Sequence, residues 1–196
     1  VTVGSNVYVS CSGFPSNSYV AVCFNGYVQS MAVTNSSGIF KTYFVPQAPN
    51  GTYTVIAIAT VNPIPVGAQC PYIGSFIGEA YEGGFASANL TVVPNLVVQT
   101  TACSSSTITV YGYGFPANTP IELIMNGAPL PSTATTTDDS GSFTAYVTMP
   151  KTPGTYVFTT NVTFTYNGVN YPTPVPVNVT PSYVLVNGQS SVSVYE

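Results

Sequence analysis

Few side chains in this 196-residue chain could carry acid–base or nucleophilic chemistry. Two lysines and six carboxylates are its only charged side chains, and it has no histidine. A serine or cysteine nucleophile needs a neighbouring base, most often histidine, so the usual triad cannot be assembled. Glu79 and Glu82 have the residue types of a glycosidase carboxylate pair, but the rest of a site is missing, which favours two solvated carboxylates. We therefore predict that the chain is not an enzyme and has no catalytic residue and no cofactor.

Metal binding is not indicated by the sequence either. The run Asp138-Asp139-Ser140-Gly141 lacks the ligand count of a calcium loop. Its counterpart in the repeat described below, Asn35-Ser36-Ser37-Gly38, carries no charge, so both runs are interpreted as polar turns. The cysteines lack the CxxC spacing of a zinc site, and no metal site is predicted.

The cysteines are instead typical of disulfide bonds. An even number of cysteines in an extracellular chain favours pairing, and three connectivities are possible for the four residues. Strand alternation places Cys11 on an inward position and Cys23 on an outward one, so a bond between these two would require a bulge. The sequence favours Cys11–Cys70, with Cys23–Cys103 as the second bond. The predicted disulfide cysteines are Cys11, Cys23, Cys70 and Cys103.

Five Asn-x-Ser/Thr sequons are candidate sites of N-linked glycosylation. Three fall in strands, at positions opposite in parity to their apolar neighbours, and therefore point outward. The other two fall in turns. All five are predicted to be accessible and to carry N-linked glycans: Asn35, Asn50, Asn89, Asn161 and Asn178.

The composition excludes several classes of partner. Two lysines and no arginine leave no basic surface for nucleic acid. A surface of Ser, Thr, Asn, Gln and Tyr suits strong acid, where protonated carboxylates form no ion pairs. Since an uninterrupted run of about 18 apolar residues is absent, no membrane insertion of the mature chain is expected. A charged segment typical of a signal peptide does not precede Val1, so the chain is interpreted as processed, extracellular and located at the cell surface.

An internal duplication predicts the fold. Four turn-like landmarks recur in order at offsets of 101 and then 103 residues, and the segments between them alternate apolar and polar residues. Short alternating strands with closely spaced turns are typical of antiparallel sandwiches. We predict an all-β chain of two tandem immunoglobulin-like antiparallel β-sandwiches plus a C-terminal extension strand. The landmarks are Gly13-Phe14-Pro15 and Gly114-Phe115-Pro116, Asn25-Gly26 and Asn126-Gly127, Ser37-Gly38 and Ser140-Gly141, and Gly51-Thr52-Tyr53 and Gly154-Thr155-Tyr156.

Two further features belong to the last strands of the repeats. The first repeat has an insertion, roughly residues 66–84, rich in Gly and Tyr and expected to form a long loop. In the second repeat Pro172, Pro174 and Pro176 alternate. Their missing N–H groups would lie along one edge, and this predicts an edge that stays open because it cannot pair.

The two ends of the chain are complementary. The second repeat begins with a strand over residues 96–101, whose counterpart in the first repeat is at most the stub Val1-Thr2-Val3. After Pro181 the chain begins a third repeat without its body. The predicted domains are residues 1–94, a sandwich lacking its first strand; residues 95–181, a complete sandwich; and residues 182–196, a donor strand. A spare strand can complete an incomplete sheet of another copy. The donor residues are Tyr183, Val184, Leu185, Val186, Val192 and Val194.

On these features the chain resembles the subunits of archaeal threads. The tandem Ig-like repeats, the scarcity of charge, the sequons and the surplus strand carry the resemblance over the whole chain. It implies a glycosylated surface filament of a thermoacidophilic archaeon, in which identical subunits form a linear polymer by donor-strand complementation and serve adhesion or cell–cell contact. The alternative is an Ig-like carbohydrate-binding or adhesive module of a larger cell-surface protein, with Tyr72 and Tyr81 stacking on sugar rings.

Overall fold

The computed structural model shows an all-β protein that divides into two units, Val1–Val92 and Val93–Glu196. It describes residues 1–71 and 83–181 in full, together with the backbone of residues 183–184 and 192–193. In this part of the chain the only helical element is a 3₁₀ turn, Pro131–Thr133. None of the described helical segments has the length and apolarity needed to cross a bilayer.

The first unit is a sandwich of a two-stranded and a four-stranded sheet. The smaller sheet pairs β1 with β4, and the larger has the order β3-β2-β5-β6, with all neighbours antiparallel. The strands are β1 (Val7–Cys11), β2 (Tyr19–Phe24), β3 (Tyr27–Val33), β4 (Phe40–Phe44), β5 (Gly51–Thr60) and β6 (Phe85–Val92).

The second unit has the same two layers with additional strands. One sheet has the order β14-β9-β7 and the other β12-β11-β15-β18-β8, and two small pairs, β10 with β13 and β16 with β17, lie beside them. The strands are β7 (Asn95–Val97), β8 (Thr101–Cys103), β9 (Thr107–Tyr113), β10 (Pro120–Ile121), β11 (Leu123–Met125), β12 (Ala128–Pro129), β13 (Thr135–Thr136), β14 (Phe143–Thr148), β15 (Gly154–Thr160), β16 (Phe164–Tyr166), β17 (Val169–Tyr171) and β18 (Val175–Thr180).

The two units repeat each other in register as well as in sequence. Cys11 lies opposite Phe40 in the first unit, and Gly112 lies opposite Phe143 in the second. These pairs are related by the offsets of 101 and 103 residues that the landmarks give. On the last strands Gly51 pairs with Val92, and Gly154 with Val179, which fixes an offset of 87 residues there. Each position in one unit can therefore be compared with its counterpart in the other.

Alternation places the core of each unit as the sequence predicts. The inward positions Val20, Val22 and Phe24 of β2 are buried in the first core, and Ile121 and Leu123 are buried in the second. The two Asn-Gly dipeptides form tight turns with φ of 50° and 82° at Asn25-Gly26 and 49° and 82° at Asn126-Gly127. Such positive φ values at both central residues match the right-handed twist of a two-residue hairpin.

The prediction that the proline-bearing strand has an open edge is wrong beyond Pro176. Strand β18 pairs with β15 on one side, and on the other side Asn178, Val179 and Thr180 pair in parallel with β8. The Asn178 N–H donates to the Thr100 carbonyl at 2.9 Å, on the edge to which Pro176 contributes no donor. The prolines therefore limit where β8 can pair with β18, and pairing begins two residues after the last of them.

The first strand of the second unit is divided between both sheets. The sequence predicts one strand over residues 96–101, whereas the structure has β7 on the edge of β9 and β8 on the edge of β18. The chain thus adds one edge strand to each sheet, on the same side of the sandwich. Among the described residues of the first unit, no strand occupies the place of β7.

The C-terminal extension contributes two short strands, β19 (Tyr183–Val184) and β20 (Val192–Ser193). They pair with each other in antiparallel fashion as a separate two-stranded sheet. The alternative in which the tail adds a strand to its own sandwich is therefore not seen for these four residues.

Candidate functional site

The outer edge of β1 is the open edge of the first unit. In the described residues β1 pairs only with β4, whereas its counterpart β9 pairs with β14 on one side and with β7 on the other. The second unit shows which positions such a partner meets, because Leu96 lies opposite Gly112 and Val97 opposite Tyr111. By the offset of 101 residues the matching positions of β1 are Cys11 and Ser10. Their backbone groups can therefore accept an antiparallel strand.

The inward side chains of β9, which has this neighbouring strand, are more deeply buried than those of β1, which lacks it. Ile108 and Val110 of β9 are 2% and 0% exposed in the unit that has β7. Their counterparts Val7 and Val9 are only partly buried against the first core. The side-chain types are similar and the register is the same, and the two units differ here in the presence of β7. An additional strand on this edge would complete their burial.

The edge of β6 is, in the described residues, a second edge of the first unit without the partner strand that its counterpart β18 has in the second unit. Val177 of β18 is fully buried, while its counterpart Leu90 is only partly buried. In the second unit β8 pairs with β18. At the matching place on β6 in the first unit, the Val1 α-amino group donates to the Thr91 carbonyl at 2.7 Å. The sequence predicted that the first sandwich lacks a strand but named no acceptor residue, although the 87-residue offset could have identified those of β6.

We use the name acceptor groove for the partly buried apolar side chains at these two strand edges and in the N-terminal segment. Its side chains are partly buried, pack on the first core and carry no charge. An extended apolar segment would gain burial here and could hydrogen-bond to the free edge of β1. The lining residues are Val3, Val7, Val9, Cys11, Ala86 and Leu90.

The cysteine pairing differs from the one predicted. Cys23 bonds to Cys70, while Cys11 and Cys103 are free thiols, so the predicted Cys11–Cys70 and Cys23–Cys103 bonds are wrong. Alternation correctly gives Cys23 the face opposite the core. That face is itself covered, because Cys23 packs with Ala21 and Val28 under Ile64 and Cys70. Burial raises the pKa of the Cys11 thiol, which lowers its thiolate fraction at neutral pH.

The first part of the insertion holds this cover in place. Its residues 66–71 hydrogen-bond to β3 of the larger sheet, where the Val28 N–H donates to the Ala68 carbonyl at 2.9 Å and the Gly67 N–H donates to the Val28 carbonyl at 2.8 Å. The Cys70 N–H donates to the Gly26 carbonyl at 2.8 Å. These bonds set Cys70 beside Cys23, so the disulfide fixes this segment to the sheet.

The sequon asparagines lie at the surface of both units. Asn35, Asn89, Asn161 and Asn178 are exposed, and Asn50 is partly buried. Several use Oδ1 as an acceptor: Asn161 accepts from the Glu122 N–H at 2.8 Å, and Asn178 from the Thr155 hydroxyl at 2.8 Å. N-linked attachment takes place at Nδ2, so these hydrogen bonds are compatible with a glycan.

The turns at Asn35 and Asp138 share one hydrogen-bond pattern but differ in charge. Asn35 Oδ1 accepts from the N–H groups of Ser37 and Ile39 at 2.9 and 3.0 Å. Asp138 Oδ1 accepts from those of Ser140 and Ser142, each at 2.9 Å. The Ser140 hydroxyl, which also donates to Asp138, and these backbone bonds lower the pKa of the Asp138 carboxyl. No metal-binding group of three or more His, Cys, Asp or Glu occurs in the described part of either unit.

Replacing Asp138 with asparagine is expected to remove an acid-sensitive contribution to stability. A lowered folded-state pKa stabilises the fold above the unfolded-state pKa, and this stabilisation is lost as pH falls through the folded-state value. In protein made without glycosylation, since the change creates a sequon, Asp138→Asn should retain the turn but melt with a weaker pH dependence below about pH 4. Thermal melts of wild type and variant would check this, and parallel curves over that range would contradict it.

Other candidate residues lie outside the described part of the chain. These are the carboxylate pair Glu79 and Glu82 and the tyrosines Tyr72 and Tyr81. Of the donor strand only the backbone of Tyr183, Val184 and Val192 is described. The described part of the chain thus includes the residues of the acceptor groove, and none of the described donor residues lies in that groove.

Comparisons with known proteins add no family assignment. No family model matches the chain, and no curated protein matches it. Matching solved structures number 53 chains. One is a biofilm-associated protein BSP domain, 17% identical with a TM-score of 0.32, covering 91% of this chain and 28% of that one. Another is the Yersinia pseudotuberculosis adhesin InvE, 12% identical with a TM-score of 0.32, covering 91% and 56%. The human OSCAR ligand-binding domain is 16% identical with a TM-score of 0.26, covering 92% and 90%.

This chain therefore spans less than two thirds of the length of the first two neighbours. At these identities and scores the three structures are similar chains and support no statement about activity. The immunoglobulin-like assignment rests on the strand order and register of the two units.

Proposed function

We propose that the protein is a structural subunit of an extracellular surface filament, assembled head to tail by donor-strand complementation. The observation that carries the proposal is the acceptor groove, in which Val7, Val9 and Leu90 are only partly buried although their counterparts in the second unit are buried. The groove accepts one extended apolar segment, and the C-terminal extension of another copy is the occupant that we propose.

The sequence of the tail supports this occupant. With the 87-residue offset of the last strands, Pro181 aligns with Pro94, Tyr183 with Leu96, Val184 with Val97, and Leu185 with Val98. The tail therefore repeats the segment that closes the second unit. If it binds β1 as β7 binds β9, Tyr183 lies opposite Cys11 and Leu185 points, like Val98, toward the core.

The polarity of this contact favours a filament. Donor and acceptor belong to opposite ends of the described chain, so each copy can donate to one neighbour and accept from another. A head-to-tail contact of this kind builds open polymers unless its rotation closes a ring.

The hairpin of β19 and β20 would have to open in the assembly. Its described residues form two pairs, and an isolated two-stranded hairpin is marginally stable in water. Binding to β1 replaces these few bonds with a ladder and buries apolar side chains, each contributing about 1.5–3 kcal/mol before ordering costs. The exchange therefore favours the bound tail.

We further propose that the sequon asparagines carry N-linked glycans on this cell-surface filament. Exposed amides in a chain with few charged side chains support this, since glycans hold water at a neutral surface. An intact mass of native protein equal to the 20.4 kDa of the bare chain would contradict it.

Deleting residues 182–196 is the direct test of the filament proposal. The truncated protein should keep two folded units, because their cores lie within residues 1–181, and should form no filaments in negative-stain microscopy. Adding the intact subunit should restore polymers. Filaments from the truncated protein alone would overturn donor-strand assembly.

A second candidate function is a carbohydrate-binding or adhesive module, as monomer or within a filament. The observation that favours it is a pair of facing tyrosines on the outer side of β1 and β4. Tyr8 and Tyr43 are 77% and 58% exposed, with ring centroids 6.0 Å apart. Such amphipathic rings suit stacking on neutral sugars. Intact protein that remains monomeric but binds an insoluble neutral polysaccharide, and loses binding in Tyr8→Ser, would favour this function.

A further inference from the structure

We propose that Cys11 of one subunit and Cys103 of the next form a disulfide across the filament joint, so that the polymer is covalently closed at every contact. This inference rests on the proposed donor-strand function. It concerns the two thiols that have no partner within the chain.

Cys11 lies at the entrance of the acceptor groove. It is the last residue of β1, at the position whose counterpart Gly112 pairs with Leu96. A donor strand that follows the path of β7 would therefore place Tyr183 directly opposite Cys11. The Cys11 side chain is partly buried and belongs to the lining of the groove.

Cys103 lies beside the residue after which the donor segment leaves the second unit. It pairs with Thr180 at the end of the β8–β18 ladder, and the next residue, Ser104, donates its N–H to the Thr180 carbonyl at 2.8 Å. The side chain of Cys103 is exposed. The tail therefore leaves the second unit directly beside this thiol.

Three residues separate the two positions along the donor. From Thr180 to Tyr183 an extended chain spans at most about 10 Å, and each cysteine is one ladder spacing, about 5 Å, from its end of that segment. A disulfide requires a Cα–Cα distance of about 4.4–6.8 Å. The two cysteines come within this Cα–Cα distance when the second unit of the donor subunit packs against the first unit of the acceptor subunit. They do not when the segment that connects the two units is fully extended.

Neither cysteine is matched by a cysteine at the corresponding position of the other repeat. The counterpart of Cys11 is Gly112 and that of Cys103 is Thr2, so the sandwich forms without a cysteine at either position. The Cys23–Cys70 bond indicates a compartment in which thiols are oxidised. Unpaired cysteines in such a chain are typical of intermolecular pairing.

The covalent step is an ordinary thiol–disulfide exchange. Two Sγ–H bonds and the S–S bond of an external disulfide of the glutathione class break, one Sγ–Sγ bond forms, and the two electrons and two protons convert the external disulfide to two thiols. The first cysteine thiolate attacks the external disulfide to form a mixed disulfide, and the second cysteine then attacks that mixed disulfide and displaces the remaining external thiolate.

The test uses native filaments, quenched with N-ethylmaleimide and denatured without reductant. Electrophoresis should show a ladder of subunit multiples that collapses to monomer with dithiothreitol. Peptide mapping of the same sample should recover Cys11 linked to Cys103. Wild-type filaments that give only monomers, or peptides in which Cys11 pairs with Cys11 and Cys103 with Cys103, would overturn the proposal.

Single variants separate the cross-link from assembly itself. Cys11→Ser and Cys103→Ser should each abolish the ladder, and Cys103→Ser, which changes no residue of the acceptor groove or of the donor strand, should still form filaments. A ladder that survives in either variant, or in the protein lacking residues 182–196, would overturn a bond across this joint. Loss of all filaments in the wild type would instead contradict the proposed function.

Discussion

Replacing Gly141 with alanine should strongly destabilise the second unit. Gly141 has φ of +73°, and a Cβ there would lie 1.9 Å from the Phe115 carbonyl oxygen. That oxygen cannot rotate away as a side chain could, because Phe115 is held by its N–H bond to the Gly141 carbonyl at 3.0 Å. The left-handed backbone and the overlap together should cost on the order of 3–4 kcal/mol.

Gly127→Ala provides the matched control. It has a similar φ of +82°, but a Cβ there would meet nothing within 4 Å. It should therefore lose only the conformational term, about 1 kcal/mol. Urea unfolding followed by circular dichroism measures both losses. Equal losses in the two variants would show that the contact with Phe115 is not the cause.

The two sandwiches could be predicted from the sequence because the information was local and present twice. Tight turns at Asn25-Gly26 and Asn126-Gly127, and inward positions such as Val20 and Ile121, follow from backbone preference and alternation alone. Each feature in one repeat supported its counterpart in the other. This redundancy supported the prediction of an all-β fold of antiparallel sheets.

The disulfide pairing could not be predicted in the same way. Alternation gives the face on which Cys23 lies, but it gives no information on whether a loop covers that face. Cys70 belongs to the insertion, which has no counterpart in the second repeat. Its path depends on hydrogen bonds to Gly26 and Val28, which are contacts over long sequence separations.

The proline-bearing edge shows a related limit. The alternation of Pro172, Pro174 and Pro176 correctly identifies the edge that lacks donors. It does not show that β8 would meet the same strand two residues later, at Asn178. Partner strands that cross from the opposite sheet are set by the packing of the whole sandwich, and a single-strand pattern contains no information about them.

Aspartate at Leu185 should disrupt filament assembly far more than aspartate at Val184. Aligned on β7, Leu185 corresponds to Val98, which packs against the core. Val184 corresponds to Val97, which is 47% exposed. The two substitutions introduce the same charge one residue apart, so a general effect of a carboxylate on the tail would weaken assembly equally in both.

The expected difference follows from the cost of burying a carboxylate in the acceptor groove. The side chains that line the groove carry no positive charge, so at neutral pH a buried carboxylate loses its hydration without a side-chain partner, at several kcal/mol. We expect Leu185→Asp to raise the critical concentration for polymerisation at least 100-fold, or about 3 kcal/mol, and Val184→Asp by less than 10-fold. Sedimentation of filaments over a range of subunit concentrations measures both. The defect of Leu185→Asp should diminish below about pH 4, where an aspartate is protonated. If Val184→Asp is the more damaging, the donor lies in the groove with the opposite face inward, and the register taken from β7 is wrong.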